Sequence, residues 1–123
     1  MRASLTKQYL SGQASPVAGH FPEAREIFTG VQALRPDSEI PLVALGTVAF
    51  EEGNFPEAIK KYRDALRLKP GSAHAYAQLA EAQIFQRDTE GARASLAKAI
   101  SLDPRGQTAN FARALLVLAD TTK

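Results

Sequence analysis

An all-α fold of stacked helix–turn–helix units is what this sequence predicts, on three observations. Pro36, Pro70 and Pro104 are evenly spaced (70 − 36 = 34; 104 − 70 = 34). The same interval lays Gly19-His20-Phe21-Pro22-Glu23-Ala24 over Gly53-Asn54-Phe55-Pro56-Glu57-Ala58, and that over Arg87-Asp88-Thr89-Glu90-Gly91-Ala92. Between these marks, apolar residues recur at three- and four-residue steps, which places them on one face of a helix. A two-helix unit this small cannot bury that face alone, so neighbouring units must cover it. No segment alternates with the period of two that a strand requires.

Taken in order, residues 1–16 fit the interval least well. Leu5, Tyr9 and Leu10 form a short apolar face. Pro16 falls inside the expected helix, where it removes a donor and clashes with the preceding turn, so a helix of about 10 residues ending near Gln13 is expected. An N-terminus lacking that helix is the competing reading. Over 22–34, Pro22 suits a first turn, and Ala24, Ile27, Phe28, Val31 and Leu34 form the apolar stripe. Gly30 costs about 1 kcal/mol relative to Ala in a helix interior and is expected to permit close helix contact. Ser38 is the expected cap of the next helix.

Helices over 39–52 and 56–68, joined by a tight turn at Gly53–Asn54, make the central unit. Ala44, Gly46, Ala49, Ala58 and Ala65 are small where the two helices meet, and Leu42, Leu45, Phe50, Ile59, Tyr62, Leu66 and Leu68 fill the same faces. Lys69-Pro70-Gly71-Ser72 repeats the punctuation, with Ser72 as cap. The helix over 73–86 carries Ala75, Tyr76, Leu79, Ala80, Ala82 and Ile84. Thr89 is expected to cap 90–101, with Ala92, Leu96, Ala97, Ala99 and Ile100 buried. After Asp103-Pro104-Arg105-Gly106, the helix over 107–120 presents Phe111, Ala114, Leu115, Val117 and Leu118.

This pattern resembles the tetratricopeptide repeat (TPR) family. The central unit matches at Leu42, Leu45, Gly46, Ala49, Gly53, Ala58, Tyr62, Ala65 and Pro70, and the third at Tyr76, Leu79, Ala80, Ala92, Leu96, Ala99 and Pro104. The resemblance covers most of the chain. It implies one domain, 1–123, folded as a right-handed α-solenoid with repeats at about 5–38, 39–72 and 73–106 and a capping helix at about 107–120.

It further implies that the first helix of each pair lines a concave groove. In the second unit the groove residues are Ile40, Val43, Thr47 and Phe50; in the third, His74, Ala77, Gln78, Glu81 and Ile84; in the last helix, Thr108 and Phe111. Several TPR cochaperones hold a C-terminal carboxylate through groove Lys, Arg and Asn. Here the matching positions are mostly Val43, Ala44, Thr47, Ala77, Gln78 and Ala112, so that clamp is missing. The expected partner is a protein whose apolar or amphipathic segment docks by side-chain burial. Val43 and Phe50 are the expected central anchors and Ile40 and Ile84 the flanking ones, with Gln78 and Glu81 setting polar register. The competing expectation is that Phe50 and Ile84 only fill space between repeats. The run IFTGVQALRPDSEIPLVALGTVAFEEGNFPEA also resembles small TPR proteins of type III secretion systems, which act as chaperones. A self-associating scaffold without a dedicated ligand, a homo-oligomer, is the alternative.

Composition restricts the remaining function classes. The 123 residues are 45% hydrophobic and 23% charged, as in ordinary soluble globular domains. A net charge of +2 is too small to imply a polyanion. Lys60, Lys61, Arg63, Arg67 and Lys69 are interleaved with Glu57 and Asp64, as on a solvated helix face, so no nucleic-acid partner is expected. There is no Cys for a disulfide or thiolate metal site. No apolar run reaches the roughly 18 residues that cross a bilayer. The stretch MRASLTKQYLSGQASP lacks the apolar core of a secretory signal, so a cytoplasmic location is expected. His20 falls in a turn and His74 in the first turn of a helix, with no nucleophile, metal or phosphate-binding motif near either. Neither catalysis nor a cofactor or metal is expected.

Overall fold

The computed structural model describes residues 20–121. The described chain forms six α-helices: α1 Phe21–Leu34, α2 Ile40–Glu51, α3 Phe55–Leu68, α4 Ala73–Phe85, α5 Thr89–Leu102 and α6 Gln107–Thr121. Each starts and stops within one residue of the expected span. The helix expected to end near Gln13 lies outside the described residues.

Local chemistry explains the boundaries. Pro22, Pro41 and Pro56 occupy first turns, where no donor is lost. Asn54 accepts from the Glu57 amide at 3.3 Å, Ser72 from that of Ala75 at 3.2 Å, and Asp88 from that of Gly91 at 2.9 Å. Asp88, not the expected Thr89, therefore caps α5; it occupies the register position of Asn54 (88 − 54 = 34). Ser38 accepts from the Ile40 amide at 3.2 Å, although Glu39 holds the cap position. Between α2 and α3 the chain turns at Gly53 with φ +80°, a left-handed conformation suited to glycine. Arg87, its equivalent between α4 and α5 (87 − 53 = 34), adopts φ +64°.

The helices form two layers. Each packs against its neighbour in sequence, and α4 also touches both α2 and α6. The layer of α2, α4 and α6 thus has side-by-side contacts, whereas α1, α3 and α5 meet chiefly across the other layer. A stack whose helices approach on one side and spread on the other curves around the closer side. That side is the concave one.

The core follows the small-residue seams. Tyr62 is completely buried among Ala49, Ala58, Leu79 and Ala82, so one ring joins α2, α3 and α4. A Cβ added at Gly46 would stand 2.6 Å from a Tyr62 ring carbon, so a side chain there forces the ring aside. The second cluster joins α4, α5 and α6 through Ala77, Ala80, Ile84, Ala92, Leu96, Ala99, Ala112, Leu115 and Ala119. Beside it, the buried Ser95 hydroxyl donates to Gln83 Oε1 at 2.7 Å, a polar pair that sequence reasoning missed.

Several packing expectations are corrected. On α6, Ala109, Ala112, Leu115 and Ala119 are buried, while Ala114, Val117 and Leu118 face outward. The alanine-rich seat offered by α4 and α5 takes α6 close through Ala112 and Ala119, with Leu115 turned in between them. Ala97 is exposed and Ser95 takes the inward position. On α1 only Ala24 is fully buried, and Leu34 is 81% exposed, because α1 packs chiefly on α2 among the described helices. Gly30 makes no close contact: an added Cβ meets nothing within 4 Å.

Three substitutions therefore separate glycine roles. Gly46→Ala gains about 1 kcal/mol of helix propensity but overpacks a rigid buried ring at a cost of 1–3 kcal/mol, so a net loss of about 1 kcal/mol is expected. Gly30→Ala has no opposing clash and is expected to stabilise by about 0.5–1 kcal/mol. Arg87→Gly relieves left-handed backbone strain and is expected to stabilise by about 0.5–1 kcal/mol. Urea denaturation midpoints, converted with a common slope, check all three signs.

Candidate protein-binding groove

The concave layer brings some of the expected residues together and withdraws others. Ile40, at the first turn of α2, is 68% exposed. Val43 is half-buried against the Tyr62 cluster. Thr47 is tied down: its hydroxyl bonds to the Val43 carbonyl at 3.1 Å and shares a hydrogen bond of 3.2 Å with the Tyr62 phenol. Ala77 and Ile84 lie in the α4–α5–α6 core, so neither is an open groove residue. Ile84 fills space between α4, α5 and α6.

Phe50 has a mixed position. It is half-buried and meets Phe55 and Phe85 edge-on, at centroid distances of 5.4 and 5.3 Å. Phe55 and Phe85 stack at 5.2 Å, closing a three-ring cluster whose most open member is Phe85, 56% exposed. Sequence reasoning missed Phe85. The repeat interval aligns Phe50 with Ile84 (84 − 50 = 34) and the structure uses its neighbour instead. The available signal was the apolar pair Ile84–Phe85 at a helix end, of which one side chain must turn outward.

At the other end, His74, Gln78, Gln107, Thr108 and Phe111 line an open cleft of about 350 Å³ between α4 and α6. The expected residues His74, Gln78, Thr108 and Phe111 therefore do converge. Among the described residues, no group of three or more His, Cys, Asp or Glu side chains is placed to hold a metal. No described helix is long and apolar enough to cross a membrane.

Electrostatically, α2 and α4 carry Glu51 and Glu81 and no Lys or Arg. Burial, with the Glu51 carboxylate adding to it, raises the Glu81 carboxyl above its ordinary value. Burial also pushes the Tyr62 phenol up to about 12, against the Thr47 hydrogen bond and with a further push from Glu81 and then Glu51. The basic side chains sit elsewhere. Arg25 pairs with Glu52, Lys61 with Glu57, Lys60 and Arg67 with Asp64, and Arg93 with Asp120.

These directions give pH-dependent outcomes. A raised Glu81 contributes stability fully present below the ordinary carboxyl value of 4.5 and lost as pH rises through its folded value. Glu81→Gln is thus expected to be more stable than wild type at pH 7, with the advantage shrinking toward pH 4. A raised Tyr62 contributes stability present below pH 10 and lost between about 10 and 12. Tyr62→Phe removes that alkaline component while losing about 1 kcal/mol at neutral pH with the Thr47 bond. Denaturant titrations across pH measure both.

Two tetratricopeptide repeat family models match the sequence, over residues 49–120 and 17–73. No curated protein matches it. Among solved structures, the TPR2B domain of yeast Sti1 in complex with a pHsp70 peptide superimposes with TM-score 0.82 at 22% identity, covering 99% of this chain and 95% of that one. PcrH in complex with the chaperone binding region of PopD gives 0.76 at 20% identity, covering 97% and 87%; a second structure, of PcrH from Pseudomonas aeruginosa, gives 0.77 at 20% identity, covering 97% and 88%. The first TPR of Spaghetti (RPAP3) bound to the HSP90 peptide SRMEEVD gives 0.76 at 17%, covering 98% and 87%. Repeat interval, two-layer stack and family match agree, and the chain belongs to the tetratricopeptide repeat family.

Proposed function

We propose that this protein is a non-catalytic interaction module that holds an apolar or amphipathic segment of a partner protein in its concave groove, in the manner of a secretion-type chaperone or assembly adaptor. The observation that supports it is that Ile40, Phe85 and Phe111 are exposed on α2, α4 and α6, the helices of one layer. Solvent-facing apolar side chains along a groove are what a docking helix or extended segment covers. Similarity to PcrH, solved with a segment of PopD, supports the chaperone form of this reading. The acidic peptide SRMEEVD, seated in the RPAP3 domain, is a poor analogue of the ligand here, since α2 and α4 offer it carboxylates and no cation.

Ile40, Val43, Phe85 and Phe111 are the proposed apolar contacts, with His74, Gln78 and Glu81 supplying polar register. Thr47 and Phe50 act by holding the groove's shape. The test is affinity capture from native cell extract with wild type and with Ile40→Gln/Phe85→Gln/Phe111→Gln. These changes remove exposed apolar surface while keeping helix propensity. Expected is at least a tenfold loss of a retained partner at unchanged helical circular dichroism, because each covered side chain contributes on the order of 1.5 kcal/mol. Equal retention by both proteins would remove the groove from the account.

Self-association is the second reading, and one observation favours it. Val117 is 65% and Leu118 44% exposed on the face of α6 turned away from α4 and α5, an apolar surface that a second copy could cover. Light scattering over a concentration series decides: rising mass in wild type that disappears in Val117→Gln/Leu118→Gln supports it, and constant monomer mass excludes it.

A further inference from the structure

The distribution of charge around the groove carries one inference about what enters it. The chain as a whole has a net charge of +2, yet the two described helices with the most groove residues carry only acids: Glu51 at the end of α2 and Glu81 in α4. Neither carboxylate has a cationic partner among the described residues, while most acids of the outer layer and the turns do. Glu51 is exposed and Glu81 half-exposed, so both are reachable. The Glu51 carboxylate acts on Glu81, and both act on the Tyr62 phenol.

Their setting is aromatic. Glu51 follows Phe50 directly. Glu81 and Phe85 are one turn apart and share a face of α4. Acid and aromatic groups therefore occupy the same end of the groove, with the Phe50–Phe85 contact between α2 and α4. Two like charges gathered without a counter-ion, one of them partly desolvated, destabilise the free protein. Such an arrangement is relieved by a visiting cation, whose alkyl stem or guanidinium plane also suits a phenylalanine face.

We propose that the segment held in the groove is cationic and amphipathic: a Lys or Arg side chain meets Glu51 and Glu81, an apolar residue beside it covers Phe85, and apolar residues further along the segment cover Ile40 and Phe111. This rests on the groove reading above and adds the charge of the partner to it. Acidic or carboxylate-terminated segments are disfavoured at the same place by like-charge contact.

A displayed library of random twelve-residue peptides tests it. Clones are selected on wild type and then divided into those whose capture survives Ile40→Gln/Phe85→Gln/Phe111→Gln and those whose capture is lost. Expected is that the groove-dependent clones are enriched in Lys and Arg over Asp and Glu, next to apolar residues. A synthetic peptide from the leading clone is expected to bind Glu51→Gln/Glu81→Gln about tenfold more weakly, and to weaken in wild type as NaCl is raised from 50 to about 500 mM, with much less salt dependence in the double variant. Groove-dependent clones without basic enrichment, or equal affinity for the double variant, would overturn the cationic assignment and leave the groove standing. An absence of groove-dependent clones would overturn the groove reading and this inference with it.

Discussion

The contact between Gly46 and Tyr62 is the constraint on which the other contacts rest. A fully buried phenol ring occupies the space that a side chain at position 46 would need, so α2 and α3 approach closely. The same ring reaches Leu79 and Ala82 and thereby seats α4. Its oxygen meets Thr47, whose hydroxyl is also bonded to the Val43 carbonyl, which fixes the inner face of α2. One residue thus links the repeat's core to the wall of its groove. Interiors packed to this density transmit displacement, so a change at Gly46 reaches the groove without touching it directly.

Beyond that seam the stack is built from alanines. Ala77, Ala80, Ala92, Ala99, Ala112 and Ala119 bring α4, α5 and α6 together with little side-chain entropy to lose. The consequence is visible on α6, which turns Ala109, Ala112, Leu115 and Ala119 inward and Val117 and Leu118 outward. Close approach on the inner layer curves the stack, and curvature makes a groove from helices that are individually straight.

Charge is sorted by layer. On the outer helices, bases are interleaved with acids at three- and four-residue spacing and form local pairs such as Lys60–Asp64 and Lys61–Glu57. Pairs of this kind contribute a few tenths of a kcal/mol each and chiefly maintain a solvated face. Of the inner helices, α2 and α4 carry no base, and Glu51 and Glu81 have no such relief. At Glu81 burial and the Glu51 carboxylate both oppose the charged form.

Repeat interval, helix boundaries and the resemblance to the TPR family were legible in the residues alone, because punctuation by Pro, Gly and capping side chains is a local matter. Asn54, Ser72 and the prolines act within a turn of their own positions. His74, Gln78, Thr108 and Phe111, which the family resemblance implied for the groove, line one cleft between α4 and α6. Only the tertiary structure decided which of two adjacent apolar residues stays exposed. Ile84 is core and Phe85 open, Ala77 is sealed by α6, and Phe50 is held by two other rings. Helical phase places a residue to within a fraction of a turn, whereas burial depends on how closely the next helix packs, and that distance is set by side chains far away in the chain.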